Sequence, residues 1–313
     1  MSNLYWCKMK KYSIFISVFV LFIILNMILA PQIYLVATME GINLWASKVV
    51  PSVVVFMFFV KIFFSFSSST KTSSLAQMLS KKIWNCPGIS LRIFFCSILS
   101  GYPVGSMMIS DQYSQGCITR TQAIRMCSFC STSGPMFILG AVGLSMFESA
   151  KFGYIILISH IIGAFLNGFF YKKVTLPELE KHHINIKQRK IDFASIVNST
   201  FSSVLSIGVI ISVFFVIITF FQPIIGIFPS PLNSIFEGII EITKGCQSIS
   251  QNLWGPTALL SATFIVSFGG FSTILQSITL LGKIQIPFKL IILQKLTHGL
   301  LSTAISLFLF FIV

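Results

Sequence analysis

The sequence predicts an all-α polytopic membrane protein, and three observations predict it. Only 10% of the 313 residues are charged, 55% are hydrophobic and 33 are Phe, whereas an ordinary soluble domain has about 25% charged residues. The mean hydropathy is +0.89. The apolar residues also gather in runs that suit hydrocarbon, where a helix needs about 20 residues to cross and every backbone group must be satisfied within the helix. This length holds at most about ten crossings once loops are subtracted. One membrane domain over residues 1–313 is expected.

A net charge of +14 would suggest nucleic acid in a soluble protein. Here Lys and Arg stand at the ends of apolar runs, so they read as topology signals; no nucleic-acid partner is expected, and the surrounding partner is the lipid bilayer. Seven Cys are scattered, with one C-x-x-C at Cys127 and Cys130. Without a second pair or a nearby His, no metal site is expected, and ordinary buried or membrane-facing thiols are the better reading. No phosphate-binding loop, dinucleotide fingerprint or nucleophile elbow occurs, so neither a cofactor nor an enzymatic activity is expected.

Taken in order, the apolar run 13–30 follows Lys8, Lys10 and Lys11. It exceeds the about 7–15 residues of a cleaved signal core, so it reads as a first transmembrane helix starting in the cytoplasm. A second crossing covers 44–66, interrupted by Pro51 and leaving through Lys61. The polar stretch 67–86, with Lys71, Lys81 and Lys82, reads as a cytoplasmic loop or an interfacial helix. Residues 89–99 are apolar apart from Arg92, and then Ser100, Gly101, Tyr102, Pro103, Val104, Gly105 and Ser106 break the helix, because Pro lacks a donor and Gly lowers helix stability. Asp111 closes this element. A second interruption, Ser131, Thr132, Ser133, Gly134 and Pro135, precedes the apolar run 136–147.

The run 152–171 carries His160 and Asn167 and empties into the most basic loop, with Lys172, Lys173, Lys181, Lys187, Arg189 and Lys190. By the positive-inside rule that loop is cytoplasmic. An even number of crossings then precedes it, which makes one of the two broken elements re-entrant. After the loop come crossings at 196–221 and 235–249, an interrupted and re-entrant run at 257–281, and a last crossing at 288–313, which leaves the carboxyl terminus outside.

The basic loop 173–193 divides the chain into a first repeat, 41–172, and a second, 194–313. An offset of 166 places Ser106 on Ser272, Gly116 on Gly282, and the break at 101–105 on Ser267, Phe268, Gly269, Gly270 and Phe271. Each half has a long helix, a broken element and a closing helix with one His, His160 or His298. The helix 44–66 runs inward and 196–221 runs outward, so the repeats are inverted. Inverted repeats with discontinuous helices set a binding site near the bilayer midplane, where half-helix amino termini offer N–H groups and a positive dipole end. The substrate-binding candidates are therefore Ser100, Gly101, Tyr102, Pro103, Gly105, Ser106, Ser131, Thr132, Ser133, Gly134, Pro135, Ser267, Gly269, Gly270, Ser272 and Gln276. Glu237 and Glu241 stand four apart on one face of a helix; in apolar surroundings they repel when both are ionised, which suits proton coupling. The alternative is a helix end at the interface, with Glu241 paired to Lys244. The two histidines read as a titrating pair or as neutral groups hydrogen-bonded between packed helices, the second being preferred.

Leu44-Trp45 with Pro51-Ser52, the segment 100–105, the segment 131–143, and Phe236-Glu237 through Glu241 to Gly245 resemble the YlbJ-type sporulation integral membrane proteins, also called SpoVV, a stage V sporulation family within the nucleoside-recognition (Gate) domain proteins. The resemblance covers nearly the whole chain. It implies a secondary transporter that moves a small aromatic anion, dipicolinic acid, across the outer forespore membrane of a spore-forming bacterium. In that family a Lys often stands two places after Gly-Tyr-Pro-x-Gly, where this chain has Met107. A dianion in the membrane needs compensation, which helix ends near Gly105 and Gly134 would give at a few tenths to about 2 kcal/mol each. The same hydroxyls would serve a nucleoside, so a nucleoside-type carrier stays open. So does a non-transporting scaffold for spore-envelope (cortex) assembly, which would not need paired breaks with polar linings.

Overall fold

The computed structural model describes residues 2–66, 72–177 and 193–312. Its elements are α1 (Ser2–Leu29), α2 (Pro31–Leu44), α3 (Val50–Phe66), α4 (Ser74–Trp84), α5 (Ile89–Ser100), α6 (Val104–Ser114), α7 (Arg120–Cys127), a π-helical segment Phe137–Met146, α8 (Ala150–Phe170), α9 (Phe193–Ile225), α10 (Ser230–Ile240), α11 (Ile242–Asn252), α12 (Gly255–Phe268), α13 (Gly270–Leu280) and α14 (Phe288–Ile312). Among the described residues, five helical stretches are long and apolar enough to cross a membrane: Pro31–Phe63, Ala150–Phe170, Phe193–Ile225, Gly255–Leu280 and Phe288–Ile312. Side chains such as Phe59, Phe201 and Val209 stay exposed on them, as lipid-facing residues do. The chain is an integral membrane protein.

The second crossing begins at Pro31 rather than at residue 44, because a helix's first residue needs no N–H partner. It continues through Trp45–Val49, where the Val50 N–H reaches back five residues to the Trp45 carbonyl and so widens the turn just before Pro51, which cannot donate. The amphipathic α4, capped by the Ser73 hydroxyl on the Ala76 N–H at 3.2 Å, meets α5 at 81°. The 67–86 stretch thus holds an amphipathic helix; residues 67–71 lie outside the described residues.

Two pairs of short helices fold back on themselves. A Cβ on Gly105 would lie 2.8 Å from Ser97 Cβ, although a straight helix would hold residues eight apart at about 12 Å. A Cβ on Gly245 would lie 2.0 Å from Gly238 Cα. Hence α5 with α6, and α10 with α11, are hairpins whose arms of 11 or 12 residues are too short to cross. The expected crossing at 235–249 is thereby corrected: it is the re-entrant element, and the run 257–281 is the crossing, since α12 and α13 continue one another across Gly269 and Gly270. Small residues at 238 and 245 allow the arms to touch, a property that the length of an apolar run does not carry.

Each half now has the same order: a fold-back pair, an interrupted helix, and an uninterrupted helix, α8 or α14. The offset of 166 is corrected with it. α11 starts at 242 and α6 at 104, 138 apart, and His298 and His160 are also 138 apart; at that spacing Pro103 at the first tip falls on Glu241 at the second, and Ser131 and Thr132 fall on Gly269 and Gly270.

Two buried arginines tie one end of the bundle together. Arg120 donates to the carbonyls of Ile284, Gln285 and Pro177 at 2.9, 2.6 and 2.7 Å, and Arg125 to those of Val174 and Asn85 at 2.8 and 2.9 Å. The α4–α5 junction, the start of α7, the segment after α8 and the turn before α14 meet there. It is the end from which the basic loop leaves, the end that the positive-inside rule assigns to the cytoplasm; Lys181, Lys187, Arg189 and Lys190 lie outside the described residues.

Candidate functional site

Each hairpin tip is seated on the helix interruption of its own half. A Cβ on Gly101 would lie 2.6 Å from the Gly134 nitrogen, and one on Gly270 would lie 3.0 Å from the Gly238 carbonyl oxygen and 3.2 Å from the Ile242 nitrogen. Both glycines also have positive φ, 71° and 70°, a region where a side chain is strained. Glycine is required at both seats by approach and by conformation.

The two interruptions are bound to each other. The Ser133 hydroxyl donates to the Val266 carbonyl at 3.1 Å, and the Ser133 N–H donates to His160 Nε2 at 2.9 Å. With Nε2 accepting, the His160 proton resides on Nδ1, which lies 2.9 Å from the Ser267 hydroxyl. His298 Nε2 is 3.1 Å from the His160 carbonyl, an acceptor, so this nitrogen carries the proton. The rings are 4.7 Å apart. His160 is thus a neutral member of a clamp, because a second proton on it would displace the Ser133 N–H, and His298 donates to its backbone.

A cavity of about 80 Å³, open on one side to a wider recess, lies where tips and interruptions meet. Its polar wall comes from Ser100, Gly101 and Tyr102 of the first tip, Ser133 and Gly134 of the first interruption, Glu241 and Thr243 of the second tip, and Ser272, Thr273 and Gln276 of α13; α3 and α9 close it with apolar side chains. The Ser272 hydroxyl is buried beside Glu241. The second helix of each hairpin and of each interrupted span starts here, so four helix amino termini converge on one space.

Glu241 sits at the second tip in extended backbone, φ −141° and ψ 121°. Its carboxylate caps α11 by accepting from the Lys244 N–H at 2.7 Å, and it also accepts from the Thr243 hydroxyl at 3.2 Å. The expectation that Glu237 and Glu241 share a helical face is corrected, since the helix ends between them. Glu237 is buried on α10 with one carboxylate oxygen unpartnered, away from the cavity wall. Lys244 does not pair with Glu241; its ammonium is 3.7 Å from Glu40 of α2.

The other candidates scatter around this centre. Ser106 and Ser131 line a smaller inner cavity with Ser277, Gln294 and Lys295. Pro103 borders a separate recess with Gln276. Gly105 lies under the Cys130 carbonyl, Thr132 and Ser267 are buried off the main cavity wall, Pro135 stands beside that wall, and Gly269 turns the chain with φ 87°. Asp111 is exposed on α6. Cys127 and Cys130 are free and buried.

One residue at the centre is absent from the sequence-based candidates. Lys295, in α14 and 4% exposed, donates to the Tyr102 hydroxyl and, at 2.5 Å, to the Ser131 carbonyl. The signal was present: a charged residue inside an apolar run, three before His298, is a functional candidate in a membrane.

No protein-family model matches the chain, and no solved structure matches it. The chain is 24% identical over 335 aligned positions to the sporulation integral membrane protein YlbJ of Bacillus subtilis (strain 168), an alignment that takes in 93% of this chain and 81% of that relative. The chain is thus similar over nearly its whole length to a sporulation integral membrane protein, and its helical fold is that of a membrane protein.

Proposed function

We propose that the protein is a secondary carrier that passes a small aromatic dianion, dipicolinate, across the outer forespore membrane during sporulation. One observation carries this reading: a single cavity is bounded by both hairpin tips and both helix interruptions. A scaffold gains nothing from breaking four helices at one depth, where each break exposes backbone groups that hydrocarbon cannot satisfy. A carrier uses those groups to hold its substrate.

The direction of the hairpins supports inversion of the two halves. α5 starts near Asn85, at the Arg125 end, and α6 returns toward Arg120 at that same end. α10 and α11 lie between the far end of α9 and the start of α12, and the crossing they precede finishes at the turn bound by Arg120. The hairpins thus enter from opposite faces, which suits alternating access about a central site.

An anion suits the amino termini of α6, α13 and the Phe137–Met146 segment, which carry no acidic cap, better than a neutral nucleoside, which would use the hydroxyls alone. Glu241 on the cavity wall opposes a dianion unless it carries a proton, so substrate entry and proton uptake are linked. The residues bind and release the substrate unchanged, and no chemical step is assigned to them. The test is the dipicolinate content of spores from a strain lacking this protein. The content is expected to fall and to return with the wild-type chain; unchanged content overturns the proposal.

A further inference from the structure

We propose that Lys295 is the cation that receives a carboxylate of the substrate, and that Tyr102 holds its ammonium until the anion arrives. The inference deepens the anion-carrier reading and rests on it. An ammonium has three donors and no acceptor. Two are occupied, by the Tyr102 hydroxyl and the Ser131 carbonyl, and no carboxylate among the described residues is in ion-pair contact with Lys295. A buried cation without a counter-charge is costly, and its burial is retained where a ligand completes the pair.

The surroundings supply the rest of a carboxylate site. Lys295 lines the inner cavity with Ser131 and Ser277, and the Ser277 hydroxyl is buried without a hydrogen-bond partner. One ammonium and one free hydroxyl can donate to the two oxygens of one carboxylate. Tyr102 stands on the wall of the main cavity while Lys295 stands on that of the inner one. The Tyr102–Lys295 contact therefore separates the two spaces, and the ammonium also lies 4.4 Å from the centre of the Tyr102 ring, where a cation is attracted. A carboxylate advancing from the main cavity would take the ammonium from the hydroxyl and join the two spaces. The same displacement binds the substrate and opens its path.

The test uses the full chain in lipid nanodiscs and two probes of equal shape, dipicolinate and its uncharged diamide, titrated calorimetrically. Wild type is expected to prefer the dianion. Lys295→Met is expected to weaken dipicolinate by roughly 10- to 100-fold, the range of a charge-assisted hydrogen bond, and to leave the diamide within about threefold. Lys295→Gln, closer to Lys in polarity, makes the same comparison if the Met variant does not fold. Tyr102→Phe is expected to tighten dipicolinate, because the ammonium's competing partner is gone. Unchanged dipicolinate binding in the Lys295 variants, or equal loss of both probes, overturns the inference while the carrier reading stands. A wild-type protein that does not bind dipicolinate overturns the carrier reading itself.

Discussion

Gly105→Ala adds one methyl group where α6 passes the first helix interruption. The new carbon would lie 1.8 Å from the Cys130 carbonyl oxygen and 2.8 Å from Ser97 Cβ, where ordinary contact begins at 3.4 Å. The nearer atom is backbone and cannot rotate aside, so α6 must retreat by 3.4 − 1.8, about 1.6 Å. Such overpacking costs about 1–3 kcal/mol, against which the better helix preference of Ala returns about 0.5–1 kcal/mol. A net loss of about 1–2 kcal/mol is expected, read as a lower melting temperature in detergent. The functional loss should be larger, because the retreat moves the first tip and parts Tyr102 from Lys295. Gly282→Ala is the control, with no atom within 4 Å of its added carbon, and should stay within about 0.5 kcal/mol of wild type. A Gly105→Ala protein that matches Gly282→Ala in melting and in substrate uptake would refute the seating of the first hairpin on the 131–135 segment.

Glu241→Gln keeps an oxygen to cap α11 but stays neutral. Wild-type uptake should quicken as the medium on the substrate side is acidified, since a proton on Glu241 removes the repulsion and lowers the electrical work, about 2.3 kcal/mol per charge per 100 mV. The variant should lose that pH response, and an unchanged pH profile dismisses the coupling. Glu237→Gln, off the cavity wall, should leave the pH response in place, and its loss there would move the coupling role to Glu237. His160→Phe strands the Ser133 N–H and the Ser267 hydroxyl at about 1–3 kcal/mol each, so its melting temperature should fall well below wild type; no change means the clamp is not structural. Cysteine labelling should reach the loop 173–193 from the cytoplasmic side and the carboxyl terminus from the opposite one, and labelling of both from one side contradicts the crossing count.

The fold class was legible because runs of apolar residues between charges have one solution in a bilayer. The breaks at Gly101 to Gly105, 131–135 and 267–271 were also legible, since Pro and paired Gly interrupt helices wherever they fall. Which broken element folds back was not. α10 and α11 read as one run because Glu241 is a good helix former, and its extended backbone arises from Gly238 meeting Gly245, a tertiary contact. The repeat offset failed for the same reason: the 166-residue alignment matched one break to another by composition, whereas the shared spacing of 138 was already present in the two histidines. Lys295 lies on an unbroken helix, which the pattern of helix breaks does not mark. The side chain that faces the breaks stands on such a helix.

Reconstitution tests the central claim most directly. Purified protein in vesicles loaded with terbium ions, whose luminescence rises on chelation of dipicolinate, should give a signal that grows with added dipicolinate, saturates, and is inhibited by no equal concentration of nucleoside. Vesicles whose signal grows no faster with the protein than without it would contradict a carrier of dipicolinate.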